Sequence, residues 1–179
     1  MRYFLLEINP AYKHTPNVKE WFKKIDVRKI KRENHSLFSE TELLFIEESK
    51  RTIFIDVITF PFLMVSDVVR KVINFYEPDT IFKKIVLLDR VHRKKALYYM
   101  PFLEHVECLD CTSELNLDKS VIRHCVLRRP DIKDKAIFHI KGVGKQYTVV
   151  RLDLAESLFR RRAKGIGLKM VEVIDGRGE

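Results

Sequence analysis

Cysteine is scarce in this chain, and long apolar runs are missing. Of 179 residues only three are cysteines. The opening M-R-Y-F-L-L-E-I-N-P has an apolar run too short for a signal peptide, and Glu7 interrupts it. We therefore expect a first strand of a cytoplasmic protein, whose odd number of thiols stays reduced and forms no disulfide framework. Charge cuts every apolar stretch, so no membrane span is expected and no membrane partner is implied. Catalytic signatures are also missing. There is no G-x-S-x-G elbow. K-G-V-G-K lacks the phosphate-loop spacing and falls in a hairpin, not at a strand-to-helix turn. No helix-turn-helix, zinc-finger or RNP pattern is present. These absences lead us to expect no enzyme and no cofactor.

What is present is a well-supplied core and an excess of positive charge. Hydrophobic residues make up 46% of the chain and aromatic residues 11%, enough for one domain over residues 1–179 with a basic N-terminal subregion at 1–40. The formal charge is +9 and the sequence pI about 9.5, which favours anionic partners: nucleic acid, an acidic membrane surface or an acidic protein face. The many interspersed Asp and Glu residues are those of a solvated surface.

The best local pattern is Pro61 to Glu114. Ser66 suits a helix N-cap, Asp67 suits the positive end of the dipole, and Val68, Val69, Val72, Ile73 and Tyr76 recur at helical spacing until Pro78 stops the ladder. Strands are expected at Arg2–Ile8, Lys84–Leu88, Ala96–Met100 (ended by Pro101), Leu103–Leu109, Val121–Leu127 and Leu168–Ile174. Leu43–Ile46 and Thr52–Phe60 are expected to pair with each other, and Ala136–Ile140 with Tyr147–Val150 around the glycines of K-G-V-G-K. Asp56 interrupts the second of these strands. Alternation points it to solvent; the other reading is a buried acid with a purpose. A second helix is expected from an Asp153 N-cap with Glu156 three residues on, ending at Gly165. Between Asn9 and Phe38 the chain reads as irregular or partly helical, and Asp175–Glu179 as a frayed tail. Ile53–Leu88 and Tyr147–Ile174 echo one another as strand, capped helix and strand. The fold class is thus α+β, an antiparallel or mixed sheet with a few short helices and two similar α+β substructures.

Two constellations could carry chemistry. His105-x-x-Cys108-x-x-Cys111, with His124 and Cys125 further on, holds zinc-type ligands, but zinc sites built on such spacing use two well-spaced pairs and only one is present. The expectation is no metal site, with His105, Cys108 and Cys111 as its weak candidates. Two basic clusters, Arg90, Arg93, Lys94 and Lys95 in a turn and Arg160, Arg161 and Arg162 at a helix end, are the candidate partner-binding residues. The same clusters also fit a solvated turn and a helix end whose cations offset the dipole. Trp21 and Tyr99 are candidate aromatic anchors.

The ordered series V-S-D-V-V-R-K-V-I, P-D, K-I-V-L-L and A-L-Y-Y-M-P-F-L-E-H-V-E-C-L-D-C-T-S-E resembles the eleventh of the numbered immunity families of bacterial polymorphic toxin systems. So does the closing A-I-F-H-I with Y-T-V-V-R-L-D-L-A-E-S-L-F-R-R-R-A-K-G-I-G-L-K-M-V-E-V. The positions that carry the likeness are Ser66, Asp67, Tyr98, Tyr99, Asp110, Ser113, Glu114, Phe138, Glu156 and Gly167, over roughly the last two-thirds of the chain. The resemblance implies a cytoplasmic, non-catalytic protein that binds and blocks a cognate toxin domain, and it supplies no catalytic residue. Since this chain is basic, either the partner presents an acidic face or the toxin is not a nuclease. The alternative function is a nucleic-acid-binding or regulatory module. The sequence does not specify the oligomeric state.

Overall fold

A computed structural model describes residues 1–175; the tail expected at Asp175–Glu179 lies, beyond Asp175, outside the described residues. The chain is mixed α+β, 20% helical and 35% strand. In order it forms β1 (Tyr3–Ile8), β2 (Thr41–Phe45), β3 (Val57–Ile58), β4 (Met64–Val65), α1 (Asp67–Tyr76), β5 (Ile81–Asp89) and β6 (Lys94–Phe102). There follow β7 (His105–Val106), β8 (Glu114–Leu115), β9 (Ile122–His124), β10 (Val126–Arg128) and the short α2 (Arg129–Ile132). The last elements are β11 (Ile137–Ile140), β12 (Thr148–Arg151), α3 (Leu152–Arg160), β13 (Ile166–Met170) and β14 (Glu172–Ile174).

The longer strands build two five-stranded sheets, one ordered β2-β5-β6-β4-β3 and the other β13-β1-β12-β11-β7. Each sheet mixes one parallel pair, β2 with β5 and β11 with β7, into otherwise antiparallel neighbours. Side chains alternate across a strand, and adjacent residues here enter different cores. Val57, Val65, Leu6, Ile137 and Val150 face an inner core with Val69, Ile73, Leu154 and Leu158 of α1 and α3. Ile58, Met64, Ile85 and Tyr98 face outward under the N-terminal segment, which inserts Val18, Ile25 and Ile30. Tyr3, Leu5, Phe138 and Val149 face outward under residues 107–132, which insert Cys108, Cys125 and Ile132. Both strand faces are thus covered, which explains apolar runs such as Ile137–Phe138 and Val149–Val150 that do not alternate with polar residues.

The two sheets share one internal register. Val57 pairs with Val65 and Val65 with Tyr99; Ile137 pairs with Val150 and Val150 with Phe4. Val65 therefore corresponds to Val150, Tyr99 to Phe4 and Tyr98 to Tyr3. The hydrogen bonds repeat in that register. Ser66 N donates to Asp56 O as Arg151 N donates to Ala136 O. The Tyr98 hydroxyl donates to Ile55 O at 2.6 Å, and the Tyr3 hydroxyl reaches Lys135 O at 3.4 Å and Ile132 O at 2.8 Å. In each half a helix links two parallel-running strands, and an antiparallel strand lies between them. That central strand is β6, after the helix, in one half, and β1, at the other end of the chain, in the second.

Several expected elements differ. Leu43–Phe45 belongs to β2 and pairs with β5, not with residues 52–60, which contribute only Val57–Ile58. Residues before Val57 leave the sheet because Asp56 is committed elsewhere: its N–H donates to Lys164 O and its carboxylate accepts from Lys164 N. It is half-buried and ties the β3 entry to the turn after α3, so it fits neither reading of it. In that turn Gly165 has φ +82°, and a Cβ there would meet Ile55 at 2.6 Å, which only glycine avoids. Ser66 caps α1 as expected, accepting from Val69 N. The second helix starts two residues earlier than the capping box implies, with Arg151 at the N-cap, and Asp153 instead binds the Arg151 guanidinium at 2.8 and 2.9 Å. Pro101 lies inside β6, which runs to Phe102; β4 pairs with β6 only at Tyr99, so no neighbour there needs the proline N–H. The strand expected at Leu103–Leu109 is only His105–Val106, and Val121–Leu127 breaks at Cys125.

Candidate partner-binding cleft

A cleft of about 450 Å³ opens where residues 27–33 meet the start of β7 and the turn between β11 and β12. Its first wall is a pair of 3₁₀ turns. Asp26 accepts from Arg28 N and so caps Val27–Lys29, and the same carboxylate holds the Arg28 guanidinium in two bonds of 3.0 Å. Buried Ile25 and Ile30 pin this segment to the outer face of its sheet. That leaves Arg28, Lys31 and Arg32 on the cleft side. Arg32 also reaches Asp79 O at 2.9 Å. The second wall is Ile140 to Gln146. Gly142 takes φ +84° with open space around it, Gly144 N donates to Lys119 O, and the Gln146 side chain accepts from Leu63 N. Lys141 and Lys145 are carried on this turn.

Charge in the cleft is uneven. Five cationic side chains, Arg28, Lys31, Arg32, Lys141 and Lys145, share it with two carboxylates, Glu33 and Glu104. Glu104 already pairs with Lys135 at 2.6 Å, and Lys141 lies 3.5 Å from Glu107. Among the described residues Lys31 and Lys145 form no ion pair. A second cleft of about 380 Å³ lies beside Lys24, Phe38 and Lys83; there Lys24 is neutralised by Glu42 at 3.1 Å and Lys83 by Glu40, while Lys29 forms no ion pair among the described residues.

Two imidazoles stand behind the first cleft. His105 lines it, and its ring lies 5.1 Å from that of fully buried His139 on the paired strand. Burial, and then the Lys31 ammonium, lower the His105 pKa, while Glu33 opposes them. Burial and then His105 push His139 down to about 3. The His139 Nδ1 lies 3.1 Å from the Thr148 hydroxyl, and its Nε2 has no partner among the described residues. A pair held neutral in this way adds no repulsion to the lysines at the mouth.

The residues singled out from the sequence are dispersed. Arg90 lies over the Phe45 ring at 5.3 Å. Arg93 takes the left-handed conformation of the β5–β6 turn, and Lys94 donates to Lys50 O and Thr52 O. The turn is organised by buried Asp89, which accepts from the N–H groups of Ser49, Val91 and His92 and contacts the His92 ring at 2.9 Å. Burial alone would raise the Asp89 pKa; the donated bonds outweigh it and hold the pKa at about 2. Lys95 closes the same hairpin opposite Leu88. At the end of α3, Arg160 lies 3.7 Å from Glu156, Arg161 binds Ser157, and Arg162 adopts φ +56° where the helix stops. His105, Cys108 and Cys111 do not converge: His105 faces the cleft, Cys108 lies in the outer core beside Cys125, and Cys111 is exposed. Burial raises the Cys108 thiol to about 12 and the Cys125 thiol to about 11, which keeps both protonated and poor as metal ligands. No group of three or more metal-type ligands occurs among the described residues.

No family model matches the chain, and no curated protein matches it. Several of the positions on which the sequence resemblance was drawn have structural tasks: Ser66 caps α1, Asp67 pairs with Arg70 and Lys71, Tyr99 lies under Arg70 at 4.8 Å, and Phe138 is core. Ser113 both donates to Val126 O and accepts from Val126 N. Sequence reasoning missed the cleft. Both walls were visible as R-K-I-K-R and K-G-V-G-K, but nothing local to either signals that they meet. A second feature is an edge-to-face trio, Trp21 with Phe22 at 5.7 Å and with Phe60 at 6.4 Å. Trp21 is half-buried, whereas Phe22 and Phe60 are 65% and 58% exposed. Tyr99, the other anchor candidate, packs against the inner core. No described helix is long and apolar enough to cross a membrane.

Proposed function

We propose that this protein is a non-catalytic binding protein of the immunity type, which neutralises a toxin domain made by the same cell by covering it. The observation that carries the reading is the Trp21, Phe22 and Phe60 trio. Water is a poor environment for two large rings held in place by a third, and aromatic side chains of this kind supply most of the affinity where proteins meet. The unpaired cations of the nearby N-terminal segment add the steering that an acidic toxin face would feel. The resemblance over Ser66–Glu114 and Ala136–Val173 supplies the biological setting, and the groups that look reactive in the sequence have structural tasks: Ser66 caps a helix, Asp89 ties a turn, Cys108 and Cys125 fill a core.

The competing reading is a nucleic-acid-binding module, favoured by the net charge of +9. The two part in a protection experiment. Cells expressing the C-terminal domain of the large protein encoded immediately upstream should stop growing, and co-expression of this chain should restore growth. Phe22→Asp with Phe60→Asp should abolish rescue while the protein stays folded by circular dichroism. No rescue by the wild-type chain, or an upstream gene of another kind, overturns the reading.

A further inference from the structure

We infer that the cleft between Arg28–Glu33 and Ile140–Gln146 receives an extended acidic peptide segment of the protein partner. This rests on the binding-protein reading and adds to it where the partner inserts and what that part of the partner is made of.

Three observations on the cleft specify the occupant. First, Lys31 and Lys145 stand on opposite walls of one cleft and have no carboxylate partner among the described residues. Two unneutralised ammonium groups across a gap repel each other, and an inserted carboxylate relieves that repulsion. Second, the lining between them is aliphatic: Val27, Leu103, Ile140 and Val143. Single-stranded nucleic acid is gripped by rings on which bases stack. Here the only ring is His105, and its neighbour is the buried imidazole of His139. An aliphatic floor with cationic walls suits a leucine- or valine-type side chain flanked by Asp or Glu.

Third, the cleft adjoins an open sheet edge. In the parallel pairing of β7 with β11, His139 N donates to Glu104 O and Lys141 N donates to Val106 O. Alternate residues of a strand point their peptide groups to opposite sides, so the N–H and C=O of His105 point away from β11. Neither is engaged among the described residues. An extended segment entering the cleft meets this free donor and acceptor, the pattern by which strands add to sheet edges. A volume of about 450 Å³ admits a short stretch of chain and no more.

The test uses the full chain and a fluorescent, N-acetylated hexapeptide alternating Glu and Leu, with a Lys–Leu peptide, inorganic phosphate and a single-stranded oligothymidine as comparisons. The Glu–Leu peptide should bind. Lys31→Glu and Lys145→Glu should each weaken it by about tenfold or more, as expected for charge reversal beside a desolvated carboxylate. Arg93→Glu, on the β5–β6 turn, should leave it unchanged. No binding of the peptide up to millimolar concentration, tighter binding of phosphate or oligothymidine, or indifference to both reversals would overturn the inference. The binding-protein reading is judged separately: if Lys31→Glu and Lys145→Glu still rescue cells as the wild type does, the cleft assignment fails while that reading stands.

Discussion

The two halves of the molecule, β3 to β6 and β11 to β13 with β1, keep the same register and depart from each other only at their margins. Val65 and Val150, Tyr98 and Tyr3, Ile73 and Leu158 occupy matching places, and each half carries a helix into one shared core. Beyond that frame the halves differ. The first adds β2 beside β5; the second adds β7 beside β11. The first is covered by a basic segment of 3₁₀ turns, the second by short strands around Cys108 and Cys125. The cleft forms where a cover of the first half meets an addition of the second. The repeated part supports the structure, and the cleft lies where the unrepeated residues 27–33 and 103–105 meet the β11–β12 turn.

The strongest way to break this comparison is to empty matching places in the common core. Ile73→Ala and Leu158→Ala should each cost about 2–5 kcal/mol in urea denaturation. Both should lower one cooperative transition; two separate transitions, or one silent substitution, would mean that the halves are independent. Next comes acid. His139 is neutral in the folded protein down to about pH 3, while in the unfolded chain an imidazole takes up a proton below about 6.5. Stability attributed to this site is therefore full above that value and falls as the pH drops toward the folded pKa, by an amount on the order of a few kcal/mol. In the first half the matching residue is Thr59, which does not titrate. His139→Leu should flatten the stability profile between pH 6 and 4, measured by thermal melts.

A smaller effect sharpens the register itself. Tyr98→Phe and Tyr3→Phe should each cost about 0.5–1.5 kcal/mol, since each removes a buried hydroxyl's bond to a main-chain carbonyl, Ile55 O in one half and Ile132 O, which keeps the Lys135 N–H, in the other. Similar losses support the equivalence of the two tyrosines, and a loss confined to one of them weakens it. Smallest of all is Arg160→Ala, on an exposed helix end, which should change stability by no more than about 0.5 kcal/mol.

The common frame was largely legible in the sequence because its signals are local. Ser66 and Asp67 announce α1, the glycines of K-G-V-G-K announce the β11–β12 turn, and Tyr3–Ile8 alternates as a strand should. The echo between Ile53–Leu88 and Tyr147–Ile174 caught the helix of each half but took Thr52–Phe60 as the strand before the first helix, whereas the match to β12 is Met64–Val65 and Val57 matches Ile137. The central strands were legible as strands but not in their placement, since β6 and β1 reach equivalent positions from opposite ends of the chain, and nothing in M-R-Y-F-L-L states that it lies between β12 and β13. Pairing of β2 with β5 instead of with residues 52–60 was hidden for the same reason: partners are chosen by the sheet, not by proximity along the chain. The cleft combines both difficulties. Arg28 and Lys145 are far apart in sequence, and each lies in a stretch that reads as ordinary solvated charge. The compact clusters at Arg90–Lys95 and Arg160–Arg162 drew notice because they are contiguous, and their contiguity comes from a tight turn and a helix end.

The most direct measurement is calorimetric titration of the full chain with the C-terminal domain of the upstream-encoded protein proposed as its partner and, separately, with random-sequence nucleic acid, each at physiological and at high salt. We predict a one-to-one protein complex that keeps most of its affinity at high salt, as expected when buried rings dominate, and only weak nucleic-acid binding. No complex with the toxin domain, together with nucleic-acid binding that falls steeply with salt, would contradict it.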